Sequence, residues 1–176
     1  MKTRNGFVSN SSSSSFIVAF PRQPTSYDDV FNMMFESKSF FIDGYHDPIT
    51  TSGVAQMVWG DLQEQLPRLP LSRPYITQQL WDVAVDYRER RRLQATGELQ
   101  DPWEVGLEPR EHDRRRRLED EYFDKQAGLL ADAFLRDNQD SFICSFEYSD
   151  DDGAQGSTME HGDIFRNLPH HRISNH

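Results

Sequence analysis

A single cysteine, Cys144, in 176 residues leaves no partner for an internal disulfide. That excludes a disulfide framework and suits a reducing compartment. No apolar run approaches the roughly 18 residues a membrane-spanning helix needs. No apolar stretch follows Lys2 and Arg4 before the serines begin, so a secretory signal is not expected and a cytoplasmic location is. Basic charge is also short: 19 Lys and Arg face 29 Asp and Glu, a net charge of −10. A chain so charged repels phosphate backbones and anionic lipid surfaces, so neither nucleic acid nor membrane is expected as a partner. Leu, Ile, Val and Phe make up only 40 of the 176 residues. That fraction lies just above the roughly one-fifth at which high charge implies disorder. Twelve Phe, six Tyr and three Trp supply the bulky anchors that disordered chains lack. The length suits one folded domain with a real core.

Sequence character changes along the chain. Phe16-Ile17-Val18-Ala19-Phe20 is rich in strand formers and closes at Pro21. A helix is expected over 27–36, capped by Thr25 or Ser26, with Val30, Phe31, Met34 and Phe35 as its buried stripe. Phe40-Phe41-Ile42 is a second short apolar run. Thr50, Thr51 or Ser52 caps a further helix carrying Val54, Met57, Val58, Leu62 and Leu66. Three prolines in residues 67–74 make an extended connector. Two longer helices follow. One begins near Tyr75, with Ile76, Leu80, Val83, Ala84 and Tyr87 at helical spacing; the other spans Pro109 to Asp137, with Leu118, Tyr122, Leu129 and Ala133 on one stripe widened by Phe123, Leu130 and Phe134. Charges of both signs alternate over 88–125, as expected for a helical pair laced by ion pairs. Ser141-Phe142-Ile143-Cys144-Ser145-Phe146 then nearly repeats Ser15-Phe16-Ile17-Val18-Ala19-Phe20. Two strands of similar environment, neighbours in one sheet, would bring the chain ends together.

Potential ligands concentrate at the C-terminal end. His161, His170, His171 and His176 fall there beside Asp150, Asp151, Asp152, Glu160 and Asp163. Imidazoles with carboxylates suit a divalent ion. A metal site would draw on Glu160, His161, His170 and His171 with Asp150 or Asp152, although the spacing matches neither a calcium loop nor a metalloprotease helix. The alternative is a polar tail with an acidic turn. Residues 137–176 hold eight acids and two arginines, an imbalance that bound cations or nearby arginines would offset. The serine run offers Ser11, Ser12 and Ser13 as phosphate contacts ahead of a strand, without the glycines or the Lys-Ser/Thr pair of a Walker loop. A flexible arm or a modification site are the competing readings. The clusters Arg88–Arg92 and Arg114–Arg117 spread around their helix axes among acids and read as solvated helix faces rather than an RNA-binding stripe. Cys144 reads as an inert core thiol.

The string from Arg4-Asn5-Gly6-Phe7-Val8-Ser9-Asn10 through Ser15-Phe16-Ile17-Val18 resembles an N-terminal signature of small bacterial and bacteriophage proteins. Phe146 to Gly153, with Glu160-His161-Gly162 and the histidine-rich ending, is similar to the C-terminal part of some of them. The resemblance leaves the helical middle unmatched. It implies a cytoplasmic bacterial or phage protein and carries no catalytic residue.

The expected fold is α+β. A small sheet of strands 16–20 and 142–148, joined by 40–42 and 170–174, is covered by helices in a single domain of residues 1–176, with a charged helical insertion at about 75–137. Two functions are compatible with these features. One is a non-enzymatic binding or regulatory protein acting on a protein partner. The other is a metal-dependent hydrolase or phosphoryl-processing enzyme built on the C-terminal His and carboxylate residues.

Overall fold

The computed structural model describes residues 13–41, 49–66, 71–149 and 153–174. The chain divides into two compact units, one formed by residues 1–70 and 140–176 and the other by residues 71–139.

The first unit is organised by strand β1 (Ser13–Phe20), which lies between β4 (Phe142–Ser149) and β5 (His170–Ser174) in an antiparallel sheet of order β4-β1-β5. The expected meeting of the chain ends is thus realised in one sheet. Phe16 stands opposite Phe146 on one side and Arg172 on the other, and Val18 opposite Cys144 and His170. Directly opposed residues share a face, because side chains alternate along each strand. One face therefore carries Phe16, Val18 and Phe20 with Cys144, Phe146 and Tyr148. The second carries Ile17 and Ala19 with Ile173, all three also buried.

Helices α1 (Tyr27–Met34), α2 (Thr51–Gln65) and α6 (Gly153–His161) belong to the same unit. Val30, Met34, Phe35, Val54, Ala55, Val58, Leu62 and Met159 join the first sheet face in one core, together with Ile164, Phe165 and Leu168 from the α6–β5 connection. Phe165 lies at the centre of this core, 5.3 Å from Phe16 and 5.1 Å from Phe146 between ring centroids. The helices start where their hydroxyl caps allow. Ser26 accepts from the Asp29 amide and Thr50 from the Gly53 amide, each satisfying one orphan donor of the first turn. Phe40 does not join the main sheet as expected. Strand β2 (Phe40–Phe41) pairs with β3 (Ile49–Thr50) in a separate two-stranded ladder, anchored by Thr51 hydrogen bonds to the Ser39 backbone. Ile42 lies outside the described residues.

The second unit holds α3 (Arg73–Gln79), a 3₁₀ turn (Leu80–Asp82), α4 (Tyr87–Thr96) and α5 (Pro109–Asp137). The connector expected over 67–74 ends earlier than its prolines suggest, because Ser72 caps α3 and Pro74 occupies its first turn, where no amide is needed. The helix expected to run on from Tyr75 is interrupted at 80–86. There Asp86 caps a fresh helix by accepting from the Glu89 amide at 2.8 Å. Gly97 ends α4 with φ of 76°, a left-handed conformation that suits glycine. The bounds of α5 agree with expectation, and its buried stripe does so in part. Phe123 and Phe134 face inward as expected, joined by Glu119, Ala127 and Ala131, whereas Leu118 and Leu129 are 46% and 55% exposed. Glu119, Phe123, Ala127 and Ala131 follow the i, i+4 ridge, and helix α3 packs on α5.

Candidate functional site

The C-terminal ligands fall into separate pairs. Glu160 is fully buried near the end of α6, with Oε2 3.6 Å from Nε2 of its neighbour His161. His170 opens β5. Its Nδ1 lies 2.9 Å from the Leu168 carbonyl, which places the ring proton on that nitrogen, and its Nε2 lies 3.6 Å from Asp163. His171 is the next strand residue and so projects from the opposite sheet face. Burial and the adjacent His170 hold its imidazole below the usual pKa. His170 and His171 therefore do not converge from one face. Asp150 and Asp152 lie outside the described residues, as does His176. Among the described residues, no group of three or more His, Cys, Asp or Glu side chains comes together to hold a metal ion.

The serine run does meet the tail, through an arginine rather than a histidine. Ser11 and Ser12 lie outside the described residues, and Ser13 opens β1 opposite Ser149. Ser14 is fully buried, and its Oγ accepts from both Nε and Nη2 of Arg172 at 3.2 Å. A guanidinium cannot take a proton, so this contact orders the serine without activating it. Cys144 is buried beside the Val18 carbonyl, and desolvation pushes its thiol pKa up, as an inert thiol requires.

Clefts open elsewhere among the described residues. In the first unit, α2, β4 and α6 enclose a cleft of about 710 Å³ lined by Asp61, Glu64 and Glu147 with Met57, Tyr148 and Met159. The Tyr148 hydroxyl donates to Asp61 Oδ2 at 2.9 Å. Burial, with Glu64 nearby, raises the Asp61 pKa despite that bond, and burial beside Asp61 holds the phenol well above its ordinary range.

A cleft of about 360 Å³ belongs to the second unit and is lined in part by aromatic rings. Its lining includes Trp81, Tyr87, Trp103 and Phe123. One side of α5 contributes Arg116, Glu119, Asp120 and Phe123, at i, i+3, i+4 and i+7. Trp81 packs on Phe123 with ring centroids 5.1 Å apart. Buried Glu119 takes two bonds from Arg90, at 2.9 and 2.8 Å, and the same guanidinium lies 5.8 Å from the Phe123 centroid. The Arg90–Glu119 pair thus neutralises itself and fixes α4 against α5. Tyr87 and Trp103 stand at the surface, 73% and 64% exposed. Trp103 is held by a hydrogen bond from its backbone amide to Asp101 Oδ1 and by an edge contact with His112 at 4.8 Å.

Half of the clustered arginines around this cleft are spent in ion pairs within the unit, Arg90 among them. Arg92 pairs with Glu89 and Glu98, Arg114 with Glu111, and Arg115 with Glu104 and Glu111. Sequence reasoning missed the cleft because it weighed 75–137 for charge. The available signal was the aromatic content, since two of the three tryptophans sit in the connections of an otherwise polar helical segment. Among the described residues no helix is long and apolar enough to cross a membrane. No protein family, curated protein or solved structure was found to match the chain.

Proposed function

We propose that the chain is a non-enzymatic binding or regulatory protein of bacterial or phage type, and that it engages a protein partner through the aromatic cleft of residues 71–139. The observation that carries this reading is the exposure of Tyr87 and Trp103 over a floor of Trp81 and Phe123. Large aromatics cost free energy when left in water, and Trp, Tyr and Arg anchor most protein interfaces. Here they stand on a rigid support. Arg90 and Glu119 lock α4 to α5, and Arg115 ties α5 to the loop before it through Glu104 and the Asp101 carbonyl. Such preorganisation lowers the ordering cost of association.

Selection of displayed random peptides on the intact protein tests this reading. Enriched peptides are expected to bind the unaltered chain and to lose binding to Trp103→Ala and Tyr87→Ala, whose melting temperatures stay unchanged because both side chains are exposed. No enrichment, or peptides indifferent to both substitutions, would contradict it.

A further inference from the structure

Resting on that reading, we infer that the cleft of Trp81, Tyr87, Trp103 and Phe123 seats a lysine or arginine side chain presented by a basic segment of the partner. The first argument is the charge left in the cleft once internal pairs are removed. Its ionic lining is Asp82, Glu119, Asp120, Arg90 and Arg116. Arg90 is committed to Glu119 through both of its bonds. What remains is Asp82 and Asp120 against Arg116, none of which forms an ion pair among the described residues. An entering anion is repelled by two carboxylates and attracted by one guanidinium, whereas an entering cation is attracted by two groups and repelled by one.

The second argument comes from the rings. Arginines of the chain already settle on aromatic faces here: Arg91 lies 6.0 Å from the Tyr87 centroid and Arg90 5.8 Å from that of Phe123. Indole is the strongest cation seat among the aromatic side chains. Trp81 and Trp103 line the same cleft, and neither carries a cation among the described residues. Among the described residues, then, the two best seats hold no Lys or Arg side chain, and the two carboxylates beside them form no ion pair. A net charge of −10 further raises the encounter rate with a basic segment.

The test uses the full chain with ¹⁵N-labelled indoles and four probe peptides, Ac-Ala-Ala-Xaa-Ala-Ala-NH₂, with Xaa as lysine, arginine, norleucine or glutamate at equal ionic strength. The lysine and arginine peptides are expected to shift the Trp81 and Trp103 indole signals saturably, and the other two are not. Asp82→Asn combined with Asp120→Asn is expected to weaken lysine-peptide binding about tenfold. Arg116→Ala, a change at an exposed side chain that does not threaten folding, is expected to strengthen it. Equal or tighter binding of the norleucine or glutamate peptide overturns the cationic occupant while leaving a partner-binding cleft in place. Weaker lysine-peptide binding by Arg116→Ala does the same. If no peptide shifts either indole up to about 10 mM, the cationic occupant is overturned; the displayed-peptide selection then decides separately whether the cleft binds a partner at all.

Discussion

Individual charged residues hold this molecule together in ways their chemistry explains and their sequence conceals. Glu119 falls on the inward stripe of α5 because Arg90, 29 positions earlier, supplies two charge-assisted hydrogen bonds. A hydrophobicity pattern skips a glutamate and counts Leu118 and Leu129 beside Phe123 and Phe134. Replacing the glutamate with glutamine leaves the half-buried Arg90 without a counter-charge. Glu119→Gln is expected to destabilise the protein by about 1–3 kcal/mol in urea unfolding. Asp61 behaves in the opposite sense. Its pKa is raised in the fold, so the folded state favours the protonated acid. Stability from this group is greatest at pH below the unfolded value near 3.9 and declines as pH rises through the folded pKa. Asn mimics the neutral acid and keeps an acceptor for the Tyr148 hydroxyl. Asp61→Asn should therefore melt at a higher temperature than the unaltered chain at pH 7, with the difference vanishing near pH 3. A difference that persisted or grew on acidification would contradict the burial argument.

Among the elements, those with strong local signals were legible in the sequence. The bounds of α5 follow from Pro109 at its first position and from the long helical pattern behind it. Strand β1 follows from its β-rich run and the proline that ends it. The near-repeat around Phe16-Ile17 and Phe142-Ile143 pointed to the pairing of β1 with β4. The break at 80–86 was not legible, because Leu80, Val83, Ala84 and Tyr87 continue a helical spacing across it. The chain turns there because Asp86 offers its carboxylate to the next helix start, and a periodicity count carries no such competition. Asp86→Ala should shorten or loosen α4 at a cost of about 1 kcal/mol. Amide hydrogen exchange reads this directly: protection should fall at Glu89 and Arg90 while the core of α5 keeps its own. The tail was the least legible element. Its histidines and carboxylates are close in sequence, but strand alternation puts His170 and His171 on opposite faces, and Glu160 is buried in a helix. Proximity in sequence measured composition there, not convergence.

At the scale of the whole molecule, the first unit is closed by its two ends. The central strand lies near the start of the chain, and both strands that flank it lie in the last third. Loss of the central strand would leave Phe146, Tyr148 and Phe165 without Phe16 and would separate the flanking strands. Deletion of residues 1–20 is therefore expected to abolish the cooperative melting transition of this unit; an unchanged transition would contradict the account. The second unit is built on different terms, by ion pairs and a small hydrophobic cluster of Val85, Leu93, Leu99 and Phe123 with Trp81 and Tyr122 packed against it. Its exposed aromatics are the feature that folding leaves unexplained, and partner binding through them is the central claim. Isothermal calorimetry of one selected peptide ligand against the unaltered chain and Trp103→Ala tests that claim most directly. A loss of affinity of about tenfold or more with no change in melting temperature is the predicted result, and equal affinity for the two proteins would contradict it.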